Sequence, residues 1–166
     1  MINLRPVDDR DRPWIALGLV RAFASEVIVS RGQARVGSQL PGLIAERPGG
    51  DPVGLVSYVI DADECEIVGL FSLAEGEGVG TALLDGMRRL ATEAGCRRLW
   101  LVTTNDNTAG LRFYQRRGFD LVALHRNAVT EARTVKPEIP ERGSGGIPIA
   151  HELELEMLLG DPTVPG

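Results

Sequence analysis

The stretch Glu64 to Ala94 reads ECEIVGLFSLAEGEGVGTALLDGMRRLATEA, and three regimes follow one another within it. Glu64 to Ser72 has the composition of a strand, with Glu64, Glu66, Val68 and Leu70 on one side of the extended chain. Gly69 suits a local bulge, which would upset that parity. From Thr81 onward, Leu83, Leu84, Met87, Leu90, Ala91 and Ala94 recur at helical spacing, and Gly95 is a natural terminator, so a buried amphipathic helix is predicted. Between them lies Glu75-Gly-Glu-Gly-Val-Gly80. Its glycines let the backbone approach a ligand, and the amides of Gly76, Glu77, Gly78, Val79, Gly80 and Thr81 point at one place, where the positive helix end favours an anion. A tight strand-to-helix turn explains the loop equally well on its own. A Walker loop would need Gly-Lys-Ser/Thr, and the dinucleotide fingerprint needs its third glycine one position later.

Outward from this segment, Arg98 to Thr103 is a compact apolar strand, Asn107 to Arg117 a helix ended by Gly118, and Phe119 to Leu124 a further strand. On the N-terminal side, Val53 to Ile60 pairs back on Leu43 to Glu46 through the turn Arg47 to Pro52. A short strand, Ile2 to Arg5, precedes a helix opened by Asp11-Arg-Pro13, with Trp14, Leu17, Val20 and Phe23 on one face. Ser30 to Gln39 is polar and glycine-bearing. Strands alternating with helices indicate an α/β (α+β) fold with at least one parallel strand pair.

The 166 residues suit one domain, taken as 1–160 with 161–166 as a flexible tail. Eighteen Lys and Arg against 23 Asp and Glu give a formal charge of −5, the wrong sign for a general nucleic-acid binder. No apolar run is long enough to span a membrane and Met1 to Pro6 lacks a signal-peptide core, so a cytoplasmic location is expected. Cys65 and Cys96 read as buried free thiols, and two isolated histidines give no metal site.

The segment Asn107-Thr-Ala-Gly-Leu-Arg-Phe-Tyr114-Gln-Arg-Arg-Gly118-Phe119, about 30 residues after the glycine loop, resembles the second signature of the GNAT acetyltransferases. The resemblance covers residues 53 to 124. It implies a central mixed twisted sheet of about six to seven strands flanked by helices, and acetyl-CoA as acetyl donor. By the same resemblance the glycine loop holds the CoA pyrophosphate, Leu70, Phe71 and Ser72 lie along the cofactor, Asn107 contacts it, and Tyr114 approaches the thioester sulfur. An amine then attacks an acetyl carbonyl polarised by a backbone N–H near Leu70 or Phe71. Tyr114 also makes chemical sense as a general acid, because a phenol keeps its proton at neutral pH. Glu66 and Glu64 are base candidates for the amine; a pair of charges at an exposed strand end accounts for them as well.

The chain departs from the family at Glu75, where Gln or Arg is usual, at Glu77, which replaces a frequent basic residue, and at Gly110, which replaces the commoner Ala. A carboxylate facing a pyrophosphate repels it, so both glutamates are expected to face solvent. Beyond Leu124 the chain inserts residues 125–150 before the alternating strand His151 to Met157, with Leu153, Leu155 and Met157 on one face. Asn127 to Lys136 is predicted helical and Pro137 to Pro148 is Pro/Gly-rich, so this acceptor-side insertion is read as a lid. His125 and Arg126, with Lys136 and His151, are its polar groups. The acceptor expected is a primary amine on a small molecule or a peptide; a catalytically inactive acyl-CoA sensor is the alternative. The last strand is a candidate edge for a homodimer.

Overall fold

A computed structural model describes residues 1–160. The tail assigned to 161–166 lies outside the described residues. The chain begins with β1 (Asn3–Pro6) and α1 (Arg12–Phe23), then forms a small hairpin from β2 (Val27–Ser30) and β3 (Gln33–Val36). Three antiparallel strands follow, β4 (Gly42–Glu46), β5 (Pro52–Asp61) and β6 (Glu64–Ser72), and the glycine loop leads from β6 into α2 (Val79–Glu93). After these come β7 (Arg98–Thr104), α3 (Thr108–Arg116), β8 (Asp120–His125), the short α4 (Ala128–Ala132) and β9 (Glu152–Leu158).

Seven strands form one mixed sheet in the order β1-β4-β5-β6-β7-β9-β8, with β6 and β7 as its parallel pair. The two faces of the sheet bury different clusters. Val79, Leu83, Leu84, Met87 and Ala91 of α2 cover one face with Leu43, Val56, Cys65, Ile67, Leu99 and Leu155, while α1 covers the other through Ile15 and Leu19 on Ile44, Leu55 and Phe71. Both cysteines are free and buried, as their apolar settings predict. No helix among the described residues is long and apolar enough to cross a membrane.

Three expectations need correction. Of the face read as Trp14, Leu17, Val20 and Phe23, only Trp14 packs against the core: Leu17, Val20 and Phe23 are exposed, and Ile15, Gly18 and Leu19 are buried. The cause is Gly18, where a Cβ would run into the Phe71 ring, so the helix turns its bare position inward and lets the aromatic approach its backbone. The β2–β3 hairpin starts at Val27 and runs into the polar stretch from Ser30, closed by Arg31 and Gly32 at φ 49° and 78°. These angles suit a two-residue hairpin turn, but Arg-Gly lacks the usual Asn-Gly or Asp-Gly signal. Finally, β9 lies inside the sheet, bonded to β7 on one edge and β8 on the other, so it is not a free edge for a second chain.

Within β6 the register against β5 slips: Ser57 pairs with Gly69 and Tyr58 with Ile67, leaving Val68 as the extra residue of a bulge. Glu64 and Glu66 therefore face the α1 side, whereas Leu70 joins the α2-side core, and the single-face reading of Glu64 to Leu70 fails there. Glu66 is buried and fastens the hairpin to the sheet. Its carboxylate accepts a hydrogen bond from the Ser30 hydroxyl and lies 3.4 Å from the Arg35 guanidinium. Burial raises the Glu66 pKa above the usual carboxylate range, with Ser30 and Arg35 opposing the shift and Glu152 and Glu154 adding to it.

Two stability measurements check this account. Gly→Ala inside a helix normally stabilises, but Gly18→Ala should destabilise by about 1–3 kcal/mol in urea denaturation because Phe71 must move. Glu66 has a raised folded-state pKa, so the stability it contributes is full below the ordinary carboxylate value and is lost as pH rises through the raised one. The Tm of Glu66→Gln relative to wild type should accordingly climb as pH rises from the ordinary carboxylate range toward neutrality.

Candidate active site

β6 and β7 pair over only three residues, Glu64 to Glu66 against Arg98 to Trp100. Beyond Trp100 the two strands have no ladder between them, and the bulge at Val68 lies just past the last pair. The gap therefore opens at the carboxyl ends of a parallel pair, where open α/β sheets bind ligands.

The glycine loop stands at that end. Gly76 and Gly78 both have φ 77°, and a Cβ on either would meet nothing within 4 Å, so their backbone faces open space. Gly78 is the N-cap of α2 and offers no side-chain cap, leaving amides of the first turn for an external acceptor. Gly80 serves a different purpose: a Cβ there would come 2.8 Å from Phe113, so this glycine sets the contact between α2 and α3. The Glu77 carboxylate turns away to Arg47, which donates at 2.8 and 3.1 Å and pulls the Glu77 pKa down. Glu75 is exposed. Sequence reading found no cation in the loop, but folding brings one beside it: Arg117 donates to the Thr81 hydroxyl at 2.8 Å and stacks 3.7 Å over the Phe113 ring.

The Asn107 side chain is already engaged. Its Oδ1 accepts from the Gly110 amide at 3.0 Å, capping α3, and its Nδ2 donates to Thr103 Oγ1 at 2.8 Å. Tyr114 packs edge-on between Phe113 and Phe119, and burial pushes its phenol up to about 12. That proton stays in place throughout the neutral range.

From the gap a cleft of about 560 Å³ runs toward the insertion. Val68 and Val102 lie along it, Val20 and Phe23 at the end of α1 form one wall, and Val129, Lys136, Ile139 and Ile149 form another. Val20 and Phe23, exposed on α1, thus belong to a ligand-sized hollow, whereas Leu17 does not line it. The predicted helix 127–136 is only five residues long, and the loop after it is tied down. Arg133 donates to the carbonyls of Ile139, Pro140 and Ile149, while Asp106 accepts from the Ser144 amide. The insertion forms one wall of the cleft.

Glu152 enters the cleft unannounced by any motif, because in sequence it is one of three alternating glutamates. It is 6% exposed. Its Oε2 accepts from the Arg31 amide at 3.3 Å, while its buried Oε1, 3.5 Å from the Arg31 guanidinium, accepts no hydrogen bond among the described residues. Glu64 and Glu66 line a separate hollow of about 230 Å³ with Arg35 and Trp100. His125 shares Glu154 with Arg98, at 2.9 Å from Nε2, and Arg126 is exposed; neither lines the cleft.

The family model for the Acetyltransferase (GNAT) family matches residues 21–119. A Bacillus subtilis (strain 168) protein, YdhI, is 43% identical over 128 residues, 77% of this chain and 79% of YdhI. Among solved structures, the IAA acetyltransferase from Bacillus cereus ATCC 14579 superposes with a TM-score of 0.76 at 20% identity, covering 96% of this chain and 100% of that one. A GNAT family acetyltransferase from Elizabethkingia anophelis with acetyl-CoA bound gives 0.67 at 19% identity, covering 95% and 98%. The open strand pair, the uncapped helix behind a glycine loop and these likenesses agree, and the chain belongs to the GNAT acetyltransferase family.

Proposed function

We propose that the protein is an N-acetyltransferase that takes acetyl groups from acetyl-CoA and passes them directly to an amine held in the cleft. One observation carries this reading: the cleft takes in Val68 and Val102 where β6 and β7 part, and β6 runs on from there into the glycine loop and the uncapped start of α2. The residues present fit the donor. The amides of residues 76 to 81 offer unpaired N–H groups, Gly76 and Gly78 leave room for a pyrophosphate, and Glu77 is held off by Arg47. Leu70 and Phe71 border the unpaired edge of β6, and Ser72 follows them toward the loop. When bound there, acetyl-CoA supplies an activated acyl thioester.

The chain's own groups divide the remaining work. Backbone N–H groups of β6 beyond the bulge polarise the acyl oxygen. Glu152, with a buried oxygen lacking a hydrogen-bond donor, receives the proton that the acceptor ammonium must lose. Glu66 lies behind it, close enough for the Glu152 charge to disfavour that of Glu66, and Glu64 is paired with Arg98 at 3.6 Å. Tyr114 supplies a proton to the departing thiolate. Asn107 positions α3 through its cap.

Acetyl-CoA should raise the Tm in a thermal-shift titration, and ATP or NAD should not; absence of the acetyl-CoA shift overturns the donor assignment. With an accepted amine, Glu152→Gln should lower kcat by about 10²-fold or more at unchanged acetyl-CoA affinity, and by more than Glu66→Gln does. Tyr114→Phe should lower kcat with normal acetyl-CoA binding. Acetyl-CoA binding without thiol release across a broad amine panel would point to a binding module.

A further inference from the structure

The insertion places Lys136 in the wall of the cleft, and this lysine is unlike the surface cations of the chain. It is 7% exposed, lines the hollow, and its side chain donates no hydrogen bond to any of the described residues. No carboxylate of the described residues lies within ion-pair distance of it. Asp106, on the same cleft, is occupied by the Thr104 hydroxyl at 2.5 Å and the Ser144 amide at 3.0 Å. Glu152 is held on the Arg31 side. Much of the remaining lining is aliphatic or aromatic, with Arg21 as a second cation.

A cation held in the wall of a cleft with no anion beside it favours a ligand anion that brings hydrogen-bonding oxygens. Burial lowers the Lys136 pKa, and Glu138 opposes that shift. Resting on the acetyltransferase reading, we propose that Lys136 binds the carboxylate of the acceptor, so that the substrate class is an amino acid with an apolar side chain. Its amine meets Glu152, its carboxylate meets Lys136, and Val20, Phe23 and Ile139 take the side chain. The ammonium of a zwitterion thus meets the Glu152 oxygen that accepts no hydrogen bond among the described residues, and its carboxylate meets the Lys136 cation; a simple amine meets only the first.

The experiment is calorimetric binding to the protein, free and with CoA, of leucine, methionine and phenylalanine, each beside the amine that lacks its carboxylate. The amino acid should bind more tightly than its matched amine by on the order of 10–100-fold, that advantage should vanish in Lys136→Met, and Lys136→Arg should recover part of it. Lys136→Met should keep or raise the Tm without ligand, since it removes a cation with no ion-pair partner among the described residues and keeps the shape of a largely buried side chain. Equal affinity within each pair, an advantage that survives Lys136→Met, or binding of none of the six at millimolar concentration overturns the assignment. Acceptor affinity is read here without turnover, so loss of acetyl-CoA binding would count against the donor reading, and loss of the carboxylate preference against Lys136 alone.

Discussion

A parallel strand pair that stops after three residues is the constraint on which the rest depends. Up to Glu66 and Trp100, β6 and β7 satisfy each other's backbone groups; beyond that point the bulge at Val68 bends β6 and the two edges separate. A sheet interior rarely leaves backbone hydrogen-bonding groups unpaired, so such a gap marks a place built for a ligand. The same bulge moves Leu70 to the α2 side of the sheet while Val68 faces the cleft, so one extra residue both opens the site and sorts the side chains around it.

Electrostatics then divide the molecule. On the α1 face, Glu64, Glu66, Glu154 and Glu156 are met by Arg35, Arg98 and His125, so most of that acidity is spent internally. The loop carboxylate best placed to repel a phosphate is withdrawn to Arg47, while Arg117 approaches from α3. A net charge of −5 is therefore compatible with an anion site, because backbone amides and two neighbouring arginines shape the local field. Glu152, with one oxygen that accepts no hydrogen bond among the described residues, and Lys136 both line the cleft.

Local patterns carried much of the fold. The period of Leu83, Leu84, Met87 and Ala91 required a helix, and the alternation of Leu153, Leu155 and Met157 required a half-buried strand; both lie as read. Patterns failed where a distant residue decided the outcome. The inner face of α1 was set by the fit of Gly18 to Phe71, which no periodicity records. The hairpin after α1 is held by Glu66 from a strand about 30 residues onward.

By itself the sequence determined the glycine loop, the helix behind it and the signature from Asn107 to Phe119, because phosphate-binding turns and caps are local and their residue types are restricted. It determined the strand order only as far as alternation implies. Tertiary structure alone decided that Gly80 serves helix packing, that Asn107 caps α3, and that His125 pairs with Glu154. It also brought Glu152 and Lys136 into one cleft from strand and insertion. These are consequences of contact between residues far apart in the chain, and burial, which sets their chemistry, exists only after the chain has closed around them.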